Sequence, residues 1–151
     1  MRLIILLLKS VNLYQIHFIN MSEIFKSDRY FTFFDIVVSH GQLLLRSQKT
    51  DELTNNIDII FLNATYIQSF SRLWGIKISR VEGSIDVINY DTVKKYLGYE
   101  NHYLFEIESN NEKYYIAASS LRVFENQLEF SESSLNYSVD KGIEIATSKH
   151  K

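Results

Sequence analysis

The chain of 151 residues has no cysteine, no proline and only five glycines. Each absence removes a class of protein. Disulfide scaffolds, zinc ribbons and thiol enzymes need cysteine, and collagen-like or proline-rich linker chains need proline. At an average usage of about 5%, roughly seven prolines would be expected in this length; without them the turns rest on Gly, Asn, Asp and His. Gly41, Gly75, Gly83, Gly98 and Gly142 stand far apart, so neither Gly-x-Gly-x-x-Gly nor a Walker loop can be built. An excess of positive charge is also missing. Sixteen Lys plus Arg against 18 Asp plus Glu give a formal net charge of −2, which argues against a nucleic-acid partner and against a basic membrane-binding patch.

What is present is apolar bulk. With 46% hydrophobic and 14% aromatic residues, the chain does not fit disorder. A chain of this length buries roughly 68–70% of its unfolded surface, enough for one core without staples. No internal repeat, linker or shift of composition marks a second domain, so residues 21–145 read as one β-rich unit.

The first twenty residues stand apart. They hold 13 apolar residues and two charges, Arg2 and Lys9, and so resemble a targeting segment. The uninterrupted run Leu3–Leu8 is shorter than a secretory core of about 7–15 residues and far shorter than a spanning helix of about 20. Two readings compete. Translation begins at Met21, which would change the net charge from −2 to −4, or the segment is a structural strand in which Tyr14, Ile16 and Phe18 alternate with Gln15 and His17. The internal start is slightly favoured. With no convincing export signal, the expected location is the cytoplasm, and the acceptor-like triplets at Asn63 and Asn136 are coincidental.

From Tyr30 onward the pattern is strand-like. Phe31–Ser47 contains two runs rich in aromatic, β-branched and leucine residues around one glycine. A two-residue turn at His40-Gly41 would pair Val38 with Leu43, Ile36 with Leu45 and Asp35 with Arg46, with φ > 0 at His40; a longer loop is the competing geometry. Gln48–Asn56 reads as a solvated loop. Ile57–Phe70, apolar on both faces, reads as a covered central strand, and Gly75–Val81 as a strand with one wet face. Asp91–Gly98 carries a capped two-turn helix pattern. In Tyr103–Ala118, a turn at Asn110-Asn111 pairs Glu108 with Lys113, Ile107 with Tyr114 and Phe105 with Ile116, and leaves Glu106, Glu108, Lys113 and Tyr115 on a wet face. Leu121–Phe130 supplies a further strand, and Ala146–Lys151 reads as a frayed tail. The expected fold is mainly β: a single antiparallel domain of six to eight strands, in a barrel or sandwich-like sheet, with one or two short helices. Edge strands without proline must be guarded by charge, for which Lys77, Glu106 and Lys113 are candidates.

No constellation for chemistry emerges. There is no Gly-x-Ser-x-Gly elbow, and the histidines (His17, His40, His102 and His150) show no metal-ligand spacing. Glu106 and Glu108, about 7 Å apart along one strand face, match the spacing of an inverting glycosidase, but a solvated face accounts for them as well. His40, next to Ser39 at a turn, fits a base or a pH-sensitive contact; an exposed turn residue is the plainer reading. No metal and no cofactor are implied. Aromatics are the remaining resource. Tyr66–Lys77 places Tyr66, Phe70, Arg72 and Trp74 close in sequence, and Arg and Trp dominate interface hot spots, although a core tryptophan beside a solvated arginine is the plainer reading. Tyr66, Arg72, Trp74 and His40 are therefore the candidate binding residues. The expectation is a non-catalytic module that binds another protein, of the kind found in bacterial immunity proteins or secretion adaptors, with self-association allowed. The alternative is a small hydrolase assembled from residues distant in sequence, such as His40 with a carboxylate from another strand.

Overall fold

A computed structural model describes residues 2–10, 13–82 and 101–149, with strand pairing alone described for residues 2–10 and 13–19. The strands are β1 (Arg2–Ser10), β2 (Leu13–Val37), β3 (Gln42–Ser47), β4 (Asn56–Leu62), β5 (Tyr66–Gln68), β6 (Arg72–Glu82), β7 (Tyr103–Ser109), β8 (Glu112–Ala118), β9 (Ser120–Asn126) and β10 (Ile143–Thr147). They form one antiparallel sheet in the order β10-β9-β4-β3-β2-β6-β7-β8-β5, with β1 beside the N-terminal part of β2. The mainly β expectation holds, but ten strands replace the expected six to eight, and they form one sheet and not a barrel or a sandwich. The terminal strands β5 and β10 are not joined to each other, so the sheet stays open. Among the described residues the one helical piece is a 3₁₀ turn, Val38–His40; the helix expected at Asp91–Gly98 lies outside them.

An open sheet with one dry side must bend to bury it. Phe61 of β4 and Phe105 of β7 meet with ring centroids 5.7 Å apart, although their strands are four places apart in the sheet order, roughly 19 Å in a flat sheet. The two halves therefore fold toward each other over a shared core, to which Phe31, Leu45, Ile59, Ile78, Ile116 and Val123 contribute. Of the run Ile57–Phe70 only β4 is a covered central strand, buried along nearly its whole length between β3 and β9 as its apolar residues on both faces imply; the strand ends at Leu62, and β5 lies at the sheet edge. The outer face of β4 is covered by the segment 127–142, whose Leu135 packs on Leu44, Ile60 and Phe124.

The Asn110-Asn111 hairpin has the expected register, Glu108↔Lys113, Ile107↔Tyr114 and Phe105↔Ile116. Both asparagines adopt positive φ, 49° and 61°, the primed turn that matches strand twist. Its outer face is less wet than its pattern suggests: Glu106 is 7% exposed and Leu104 3%. The His40-Gly41 hairpin differs from expectation. Its loop spans Val38–Gly41, Gly41 rather than His40 takes the left-handed conformation, and a bulge at Phe34 shifts the pairing to Ile36↔Leu43, Phe33↔Leu45 and Thr32↔Arg46. Arg46 consequently faces Asp58 of β4, not Asp35. Nor is Ala146 in a tail. Ala146 and Thr147 pair with Val123 and Arg122, and Ser148 exchanges hydrogen bonds with Leu121. Lys77 and Glu106 occupy interior strands and guard no edge, whereas Lys113 lies on the stretch of β8 that β5 leaves uncovered and does stand at an edge.

Candidate binding face

β2 and β6 are paired over Asn20↔Glu82 to Thr32↔Arg72, which sets Tyr30 opposite Trp74 and Phe31 opposite Leu73. Alternation does the sorting. Phe31 and Leu73 are buried on the inner face, while Tyr30 (40% exposed) and Trp74 (58%) are left on the outer face. Their rings pack with centroids 4.5 Å apart at 48°, so the indole rests on a neighbour instead of swinging freely. A register irregularity between Ser27 and Tyr30, opposite Gly75 at φ +67°, re-aims the strand pair at this point, as bulges do.

Trp74 stands between two open grooves. One, about 400 Å³, is bounded by Phe70, Arg72, Ser109, Glu112 and Tyr114; the other, about 430 Å³, by Lys26, Asp28, Lys77, Glu108 and Asn111. Phe70, 68% exposed, sits edge-on to Tyr114 with centroids 5.6 Å apart. The Ser109 hydroxyl donates to the Trp74 carbonyl at 3.1 Å, tying the β7–β8 hairpin tip to β6. Lys77 pairs with Glu108 at 3.1 Å. Arg72 and Glu112, both exposed, make no ion pair with any described residue.

The four residues singled out from the sequence do not converge. Arg72 and Trp74 share the face, with Phe70 between strands beside them. Tyr66 lies on β5 and packs against Leu104, as Val81 and Tyr115 also do, in a separate cluster. His40 is exposed in the β2–β3 loop, 3.0 Å from the Ser39 hydroxyl through Nδ1 and edge-on to Tyr137. No carboxylate hydrogen-bonds to His40 among the described residues. The carboxylate pair Glu106 and Glu108 is likewise occupied: Glu106 accepts from the Tyr115 hydroxyl at 3.2 Å and pairs with Lys113 at 3.3 Å, while Glu108 pairs with Lys77.

Two features escape the sequence reading. Tyr30, the support of Trp74, is 44 positions away in sequence, and only the β2–β6 register brings it there. The second is a buried polar network. Arg46 and Asp58 form a bidentate pair at 2.6 and 2.7 Å, Asn126 donates to Asp58 at 2.9 Å, and Asn56 donates to Asn126 at 2.9 Å. Arg46 also donates to the Glu132 carbonyl at 2.8 Å and Asn56 to the Leu128 carbonyl at 2.8 Å, which fastens segment 127–142 to the sheet. A signal for it was there, since Arg46 and Asp58 are lone charges of opposite sign inside apolar runs. Arg29 clamps the neighbouring loop through the carbonyls of Ser47, Gln48 and Asn55; burial lowers its guanidinium from the ordinary value, and Glu125 partly restores it.

No group of His, Asp or Glu among the described residues is arranged to hold a metal ion, and no helix among them is long and apolar enough to cross a membrane. The chain matches no protein-family model, no curated protein and no solved structure.

Proposed function

We propose that the protein is a non-catalytic, cytoplasmic binding module that engages a protein partner through the outer face of β2 and β6, with Trp74 as anchor and Arg72 and Phe70 beside it. The observation that carries this reading is the 58% exposure of the tryptophan while its ring packs on Tyr30 across the β2–β6 strand pair. An exposed indole on a sheet costs solvation without serving the core, and a pre-oriented aromatic loses little conformational entropy when a partner covers it. Tyr66 and His40 are outside this surface and take no part in it.

Affinity capture from the native organism, comparing the wild-type chain with Trp74→Ala, tests the proposal. A hot-spot residue contributes about 2 kcal/mol or more to binding, so the variant should lose its captured partner by roughly 30-fold or more while its melting temperature stays close to wild type. If Trp74→Ala retains every partner at wild-type yield, this face is not the binding surface.

A further inference from the structure

The Trp74 face also carries information about what covers it. Its two grooves hold three cationic side chains, Lys26, Lys77 and Arg72, and three anionic ones, Asp28, Glu108 and Glu112. A face of balanced charge gains nothing from a strongly acidic or basic partner; its complement must also carry aromatic rings and both signs. The face itself meets that description. We infer that its partner is a second copy of the chain, related by a two-fold axis through the groove that Arg72 and Glu112 line together; the inference rests on the Trp74 face being a docking surface.

A two-fold contact is self-complementary: if residue i of one copy meets residue j of the other, then j meets i. Arg72 and Glu112, each exposed and without an ion-pair partner among the described residues, would each receive the missing charge from the second copy. The same rotation seats each indole in the other copy's groove against Phe70 and Tyr114. At about 400 Å³ that groove is of the size that takes a small ring system. The formal net charge of −2 opposes pairing of two copies only weakly. Trp74, Phe70 and Tyr30, at 58%, 68% and 40% exposure, offer an apolar centre of roughly 300 Å² per copy. Two such centres make roughly 600 Å² of apolar area, and with a charged rim in the usual proportion the interface totals about 1,000 Å², the small end of specific interfaces, so the pair is a weak and reversible one, with a dissociation constant on the order of 10 μM.

Trp74 is the single tryptophan of the chain, so intrinsic fluorescence reports on this face alone. Sedimentation and fluorescence of the full chain, from about 1 to about 300 μM, should show the mass doubling together with a blue shift of emission. In a two-fold pair each charge reversal acts twice, so Arg72→Glu and Glu112→Arg should each weaken self-association by about tenfold. The decisive sample is their equimolar mixture. Glu at position 72 of one variant then faces Arg at position 112 of the other, and Glu112 faces Arg72, so the mixture should associate as tightly as wild type. A wild-type chain that stays monomeric throughout overturns the self-pairing while leaving the docking face to the capture experiment. A dimer untouched by Trp74→Ala, or single variants that the mixture fails to rescue, overturns it as well.

Discussion

Arg46 and Asp58 are 1% and 0% exposed, and each makes three hydrogen bonds, two to the other and one to a further partner, the Glu132 carbonyl for Arg46 and the Asn126 amide for Asp58. A buried pair of this kind contributes little net stability against an apolar replacement of similar shape. Removing one member, however, strands a charge. Asp58→Ala should therefore cost about 3–5 kcal/mol, read as a lowered urea midpoint, whereas the exposed pair Lys49–Glu129, whose glutamate is 72% exposed, should be insensitive to Glu129→Gln within about 0.5 kcal/mol. Gly142 is constrained by backbone. It holds φ +83°, and an added Cβ would lie 2.0 Å from the Glu125 carbonyl oxygen. Gly142→Ala should thus cost at least about 2 kcal/mol, and its urea midpoint should fall accordingly. Neither constraint is visible in the sequence beyond its raw material: lone charges in apolar strands and a glycine in a polar stretch. The partners lie on other strands.

Among the elements, the β7–β8 hairpin and the β2–β3 hairpin show what local pattern can and cannot set. In β7–β8, the alternation of Phe105, Ile107, Tyr114 and Ile116 with charged residues and two adjacent asparagines leave one register that keeps Phe105, Ile107 and Ile116 inside. Positive φ at Asn111 predicts that Asn111→Val costs about 1–2 kcal/mol while Asn111→Gly is tolerated, a difference that thermal unfolding of the two variants will reveal. In β2–β3 the longer of the two loop geometries that the local pattern allows is the one adopted, Val38–Gly41 in place of the two-residue turn. Val38 is 80% exposed and Ile36 52%, so the hydrophobic pattern there did not mark a buried face. Segment 127–142 covers the strand pair instead, Ser133 donating to Asp35 and Phe130 packing edge-on to Phe34. The bulged strand thus meets a segment some ninety residues downstream, a contact that no local pattern encodes.

At the scale of the whole molecule, one core draws on β2, β3, β4, β6, β7, β8 and β9 together, so no half of the sheet is independent. Phe105→Ala should cost about 3–5 kcal/mol and move a single transition, with far-UV and near-UV circular dichroism remaining coincident; separate transitions would mean that the halves unfold apart. The sequence by itself determined the β class, the single core, the absence of known phosphate loops and thiolate metal sites, and the hairpin with its turn at Asn110-Asn111, because composition and two-residue periodicity are local properties. That Trp74 is exposed and not core, that Tyr66 and His40 lie apart from it, and that the bent sheet stays open were decided only by tertiary structure. The reason is physical: alternation assigns a side chain to one of two faces, but which of those faces is buried depends on how distant strands pair and on what segment lies across them.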